Sequence, residues 1–251
     1  MQQKSKIFIS KTTLIMKKQT ILFAAFMVAS MASAQTTITV NDVLGTPSET
    51  KTLNDPLYKG GKGIAFIGDA RSSKEEGKEA GLTQEKATKF FKVPGKTIKA
   101  EAAVNFQKCP AGIQKNKEVL KTKVPYNRAV EVKPSTDGKL YALVWSKKPQ
   151  GRLFYGVANN GIYELKGFKT WEKGTTAGSD SNPYEAVELD YTYTEGDVVF
   201  LFSTGAMYLS GVYYTGSTDD TFEGGMPKEL VNSKKMAKLA KQRKAATDAS
   251  E

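Results

Sequence analysis

The stretch GDVVFLFSTGAMYLSGVYYT, from Gly196 to Thr215, holds two apolar runs, Val198–Phe202 and Ala206–Tyr214, around the short break Ser203-Thr204-Gly205. Both runs read as strands, with Gly196 and Gly205 turning the chain. Val199, Leu201, Met207, Leu209 and Val212 can fill a core, and side chains in a strand alternate between faces. The doublet Tyr213-Tyr214 then sends one ring to each face. The stretch either closes a packed structure or displays tyrosine to a ligand.

Working outward, the same period-two rhythm recurs. Thr36–Asn41 alternates around Ile38 and Val40, and Gly63–Gly68 is a short apolar run between glycines. Thr97–Phe106 sets Ile98, Ala100, Ala102, Val104 and Phe106 on one side. Arg128–Val132 and Lys139–Ser146 follow, separated by a turn signal at Asp137-Gly138. Gly151–Ala158 and Gly161–Phe168 flank Asn160-Gly161, a hairpin dipeptide whose residues tolerate positive φ. Ala186–Tyr193 places Val187, Leu189, Tyr191 and Tyr193 on one face. Short strands at this spacing predict an all-β antiparallel sandwich, and no βαβ rhythm points to a parallel sheet.

Helix is expected in two places: a short one over Thr83–Phe91 with Thr83 as N-cap, and a basic helical or disordered tail after Pro227 carrying Leu230, Met236 and Leu239. Ala70–Lys86 reads as a polar loop crossing between sheets. The glycines of Lys59–Phe66 lack the spacing of a phosphate loop and precede a strand, not a helix.

The N-terminal part of the chain has the layout of an export leader. Lys17 and Lys18 form a positive start, Ile21–Val28 an apolar centre and Ala32-Ser33-Ala34 a small-residue cleavage site. Cleavage between Ala34 and Gln35 is expected, with residues 1–34 as upstream extension and signal peptide, 35–218 as the sandwich and 219–251 as the basic tail. The mature chain carries no further stretch apolar enough to span a bilayer. The expected compartment is periplasmic, cell-surface or extracellular.

The formal net charge is +11. Residues 1–34 hold five lysines and no acid, which leaves +6; residues 228–251 hold seven basic and three acidic residues, a further +4. The central body is thus nearly neutral, and a nucleic-acid partner is not expected. The tail is a candidate tether to an anionic envelope component. The single cysteine, Cys109, cannot close an internal disulfide and reads as a small buried hydrophobe. Histidine is absent, which excludes Ser-His-Asp and Cys-His triads and His-ligated zinc.

Arg128–Thr215 has a further pattern. RAVEVKPSTDGKLYALVWS, GRLFYGVANNG and VELDYTYTEGDVVFLFSTGAMYLSGVYYT resemble the pectate-lyase-associated, carbohydrate-binding-module-like β-sandwich of secreted Bacteroidetes proteins. In that family a strand leads into a hairpin, matched here by VKPSTDGKLYALV, and a tyrosine-rich ending closes the sheet. The resemblance implies a jelly roll of two antiparallel sheets and a carbohydrate-binding character, acidic polysaccharide included.

Sugar recognition on such a scaffold uses aromatic rings against the C–H face of a pyranose, with polar groups for its hydroxyls. The candidates are Trp171, Trp145, Tyr155, Tyr163, Tyr184 and Tyr213. Trp171 stands out because GFKTWEKGTTAGSDSNPY reads as an exposed loop; Trp145 ends an apolar strand. Asp180, Asp219 and Asp220 lie in oxygen-rich turns and are candidate ligands for a structural calcium; no other cofactor is expected. No local motif marks a catalytic pair of acids. The expectation is a secreted, non-catalytic carbohydrate-binding sandwich. A structural or adhesive envelope protein is the second reading, and a small lyase or glycosidase the third.

Overall fold

Asn160 and Gly161, with φ of 48° and 79°, turn the chain between strands β11 (Gln150–Asn159) and β12 (Ile162–Glu172). This is the hairpin their dipeptide predicts. The computed structural model describes residues 35–53, 58–67, 82–110, 112–125, 128–174 and 177–224. The export leader with its Ala34–Gln35 cleavage, and the tail beyond residue 224, lie outside the described residues or at their edge.

The domain is all-β, with two large sheets and one very short helix. The first sheet contains β1 (Thr36–Thr39), β2 (Lys51–Leu53), β5 (Leu82–Val93), β6 (Lys96–Asn105), β10 (Leu140–Trp145), β13 (Tyr184–Glu185), β14 (Val187–Glu188) and β16 (Tyr208–Tyr214). Its order is β13-β5-β6-β16-β10-β14, with β1 added to β16 and β2 to β5. The second contains β3 (Tyr58–Gly61), β4 (Ile64–Ile67), β9 (Ala129–Val132), β11, β12 and β15 (Val198–Ser203), in the order β12-β11-β15-β9-β4-β3. A small ribbon pairs β7 (Gln114–Lys115) with β8 (Glu118–Val119).

The decisive stretch therefore does not fold back on itself. β15 lies in one sheet and β16 in the other, so Thr204–Met207 carries the chain across the core. Val199, Leu201, Met207, Leu209 and Val212 are all fully buried and belong to one apolar core fed by both sheets, but so are Phe200, Phe202, Ser210 and Tyr213 between them, so both faces of these strands are covered. Burying each such side chain contributes about 1.5–3 kcal/mol.

β16 is the central strand. β10 pairs along one side of it; on the other, β6 pairs with Tyr208 and Leu209, and β1 pairs with Gly211–Tyr214. A Cβ at Gly211 would overlap the Ile38 carbonyl and the Thr39 backbone, so only glycine lets β1 approach this closely. Where β6 parts from β16, helix α1 (Val40–Leu44) fills in. Thr39 starts it: its amide and hydroxyl donate to the Asp42 carboxylate at 2.8 and 2.7 Å, the T-x-x-D signature of a helix start. Asn41 Oδ1 accepts from the Glu101 amide at 2.9 Å, and Gln84 donates to the Gly45 carbonyl at 2.7 Å.

Several expectations need correction. Thr83–Phe91 is strand, not helix: β5 pairs with β6 almost throughout, with a register shift between Lys86 and Lys89. The ladder supplies backbone partners that outweigh the helix preference of Gln, Glu, Lys and Ala. Leu82–Lys86, read as loop, begins the same strand. Val40 opens α1 rather than ending a strand. VKPSTDGKLYALV is no hairpin, because β9 and β10 belong to different sheets; its Asp137-Gly138 turn carries a crossing. Ala186–Tyr193 forms only the two-residue β14, although Leu189 and Tyr191 are buried as predicted. The sheets are not wholly antiparallel, since β13 pairs parallel with β5 through Tyr184–Phe91 and Glu185–Lys92. The chain also stays docked beyond Thr218: Asp219 N–H donates to Lys133 O at 2.9 Å, and the Glu223 backbone occupies the space a Cβ at Gly60 would need.

Candidate functional site

Trp145, the last residue of β10, stands opposite Tyr208 of β16, and their rings stack with centroids 4.1 Å apart and planes 12° from parallel. The Trp145 indole N–H donates to Ser210 Oγ at 3.1 Å. A lysine stands over each ring: Lys89 Nζ lies 5.0 Å from the Trp145 centroid and Lys147 Nζ 5.1 Å from that of Tyr208. Cation–π contacts of this kind contribute about 0.5–2 kcal/mol, more as water is excluded.

A cavity of about 440 Å³ opens beside this stack. The register shift of β5 brings Lys86 and Lys89 to its wall, the residues after β10 bring Ser146 and Lys147, and Lys173 and Tyr184 complete it. Glu85 is the one carboxylate in the lining and pairs with Lys147 at 3.3 Å. Among the described residues, no carboxylate comes within ion-pair distance of Lys86, Lys89 or Lys173. Contact with the Tyr208 hydroxyl, together with the charge of Glu85, raises the Lys147 pKa above the ordinary lysine value, so its ammonium keeps its charge. The cavity thus concentrates positive charge beside aromatic surface, on a body whose overall charge is small.

Of the other aromatic candidates, Tyr184 reaches this cavity, and Trp171, Tyr155, Tyr163 and Tyr213 are not in its lining. Trp171 is not in a loop: β12 runs through it, and it is 3% exposed. Its ring meets Tyr184 edge-on at 5.5 Å, and Tyr184 in turn packs on Phe91 at 5.9 Å. Tyr155 is buried, its hydroxyl 3.4 Å from the Asp190 carbonyl. Tyr163 is buried edge-on to Phe200. Tyr213 is fully covered, with Tyr141 at 5.6 Å and the Lys96 ammonium 4.9 Å from its ring centroid. Tyr214 is equally buried and donates to the Thr136 carbonyl at 2.7 Å. The doublet packs and displays nothing. Of the six candidates, Trp145 and Tyr184 border the cavity.

A second cavity of about 440 Å³ lies between Val157, Ile162, Glu164, Asp190 and Asp197. It is acidic, and Asp197 is committed to the fold, accepting from Asn159 Nδ2 at 2.6 Å, the Tyr191 hydroxyl at 3.0 Å and the Thr194 amide at 2.9 Å. Asp219 accepts from the amide and hydroxyl of Thr221 at 3.0 and 2.6 Å, which hold its carboxyl below the usual range. Asp180 and Asp220 are exposed. Among the described residues, no three Asp, Glu, Cys or His side chains gather as a metal site. Burial pushes the Cys109 thiol up to about 11, which leaves little thiolate for nucleophilic chemistry at neutral pH.

The sequence pattern singled out no lysine of the sandwich as a site residue, nor Phe168. Phe168 is the exposed large hydrophobic side chain among the described residues, at 49%. A signal existed in the two lysines of Ser146–Pro149, placed directly after the apolar strand that ends in Trp145. No protein-family model matches the sequence, and no curated protein matches it. Among the described residues, no helix is long and apolar enough to cross a membrane.

Proposed function

We propose that the chain is an exported, non-catalytic β-sandwich that binds acidic polysaccharide at the lysine-lined cavity beside Trp145. The carrying observation is that Lys86, Lys89 and Lys173 face this cavity with no carboxylate partner among the described residues. Ammonium groups outside any ion pair among the described residues are available to the carboxylates or sulfates of a glycan.

The aromatic stack supplies the second component of the site. Lys89 covers the free face of Trp145 in the structure. An acidic sugar that draws this ammonium to its own charge uncovers the indole, against which its C–H face stacks. A neutral sugar offers no such exchange. The reading therefore carries a specificity: acidic over neutral polymers. The two sheets, with the central β16 buried throughout, suit the jelly-roll sandwich that the family resemblance implies, and the leader-like start suits export.

The test is affinity electrophoresis of the purified protein through gels containing a homouronan, a sulfated galactan or a neutral glucan. The protein is retarded by the acidic polymers and passes freely through the glucan. Equal mobility in all three gels would rule the reading out.

A further inference from the structure

A third cavity, of about 390 Å³, lies on the other side of the β10–β11 connection. Lys148 and Arg152 line it together with the hydroxyl side chains of Thr170, Ser203 and Thr204. Among the described residues, neither Lys148 nor Arg152 has a carboxylate within ion-pair distance. The chemistry resembles that of the Trp145 cavity, where cations also outnumber the single lining carboxylate, Glu85, and Ser146 supplies a hydroxyl.

The connection between the two cavities, Ser146–Pro149, is a fixed ridge. Ser146 Oγ donates to the Ala206 carbonyl at 3.3 Å and accepts from the Lys148 amide at 3.1 Å. The Lys173 amide donates to the Pro149 carbonyl at 2.8 Å. Ala206 lines one cavity and Lys173 the other, so the ridge is tied to a wall of each. Two consecutive lysines on it serve opposite sides: Lys147 lines the Trp145 cavity and Lys148 the other.

Aromatic surface also recurs. The Arg152 guanidinium lies 5.1 Å from the Phe168 ring centroid, and Phe168 leans on buried Phe154 at 5.3 Å. A lining cation of each cavity thus lies against an aromatic ring: Lys89 on Trp145, itself in the wall of the first, and Arg152 on Phe168, which stands outside the lining of the third. Phe168 leaves about half of its surface to water, as a sugar-stacking platform must.

Resting on the function proposed above, we infer that the two cavities are subsites for one linear polyanionic glycan, which crosses the Ser146–Pro149 ridge. Lys86, Lys89 and Lys173 hold acidic groups on one side, Lys148 and Arg152 hold those of later sugar units on the other, and Phe168 stacks on the ring that follows. Occupying both subsites with one chain makes the second contact intramolecular, so affinity rises with chain length.

The experiment is calorimetric titration of the full chain with a uronate disaccharide and with longer homouronate oligomers. The wild-type protein binds the long oligomer more tightly, and affinity levels off once both cavities are spanned. The double variant Lys148→Gln, Arg152→Gln, and separately Phe168→Ala, lose about tenfold in affinity for the long oligomer, and the double variant loses the dependence on length. Unchanged thermal midpoints show that these surface substitutions leave the fold intact. Equal affinity for disaccharide and long oligomer in the wild type, or a length dependence that survives the double variant, overturns the paired subsites while the Trp145 cavity stands. Failure of both ligands to bind overturns that cavity as well. An oligonucleotide of matched charge that binds as tightly as the uronate overturns the assignment to glycan.

Discussion

Lys89 and Tyr208 enclose the Trp145 indole from its two faces, the ammonium 5.0 Å from the ring centroid and the phenol ring stacked at 4.1 Å. The protein has two tryptophans, and the other, Trp171, is buried against Tyr184. In a Trp171→Phe variant, Trp145 is therefore the sole indole reporter. Its emission should be that of a shielded ring in the free protein and should change as homouronate displaces Lys89. Emission indifferent to saturating ligand, with binding shown independently, would place the ligand elsewhere.

The unpaired lysines predict a salt signature. Lys89→Ala and Lys173→Ala should each weaken homouronate binding and flatten its dependence on ionic strength, because each removes about one charge contact. The thermal midpoint should move little for Lys173→Ala, whose side chain makes no ion pair among the described residues, and should fall modestly for Lys89→Ala, which loses the cation–π contact with Trp145. Affinities measured across a salt series check both statements. A salt slope identical to wild type in the double variant counts against direct contact.

Tyr163 and Gly156 make a separate test of the core. A Cβ at Gly156 would overlap the Tyr163 hydroxyl and ring, and that hydroxyl is buried with no hydrogen-bond partner among the described residues. Gly156→Ala should destabilise by about 1–3 kcal/mol through overpacking. Tyr163→Phe removes an unsatisfied polar atom and should stabilise by about 1 kcal/mol. Urea unfolding of both variants measures the two signs, and a destabilised Tyr163→Phe would mean that the hydroxyl has a role in the fold.

Alkaline pH should unfold the protein through its buried phenols. Burial raises the pKa of Tyr163, of Tyr191, where the Asp197 charge adds to it, and of Tyr214, where Asp137 adds to it. Below about pH 10 these tyrosines are neutral in both states and cost nothing. Above it, the unfolded chain ionises while the fold holds them neutral, so stability falls by about 1.4 kcal/mol per pH unit for each. Tyrosinate absorbance and loss of sheet signal should then rise together. Tyrosines that all titrate near pH 10 with the sheet signal intact would contradict the burial.

The apolar runs were legible as core strands, since Val199, Leu201, Met207, Leu209 and Val212 are all buried, and Asn160-Gly161 turns as its residue types require. Strand partners were not, because period two assigns a face but names no neighbour. β15 and β16 are adjacent in sequence yet belong to different sheets. At Thr83–Phe91 local helix preference misleads, since pairing with β6 decides the outcome. The site was the least legible part. Lys86, Lys147 and Lys173 come from β5, the end of β10 and the end of β12, and only the crossing of the two sheets brings them to one cavity. Trp171 misled because its polar neighbours resemble a loop, while the ring itself is needed under Tyr184.

The most direct measurement is a calorimetric titration of the protein with a homouronate oligomer and with the same oligomer after reduction of its carboxyl groups, repeated on the triple variant Lys86→Ala, Lys89→Ala, Lys173→Ala. Heat and saturation are expected for the acidic oligomer on the wild-type protein, none for the reduced oligomer, and a binding at least about tenfold weaker for the triple variant, which keeps Lys148 and Arg152. Equal binding of the acidic and reduced oligomers, or wild-type affinity in the triple variant, would contradict the proposed site.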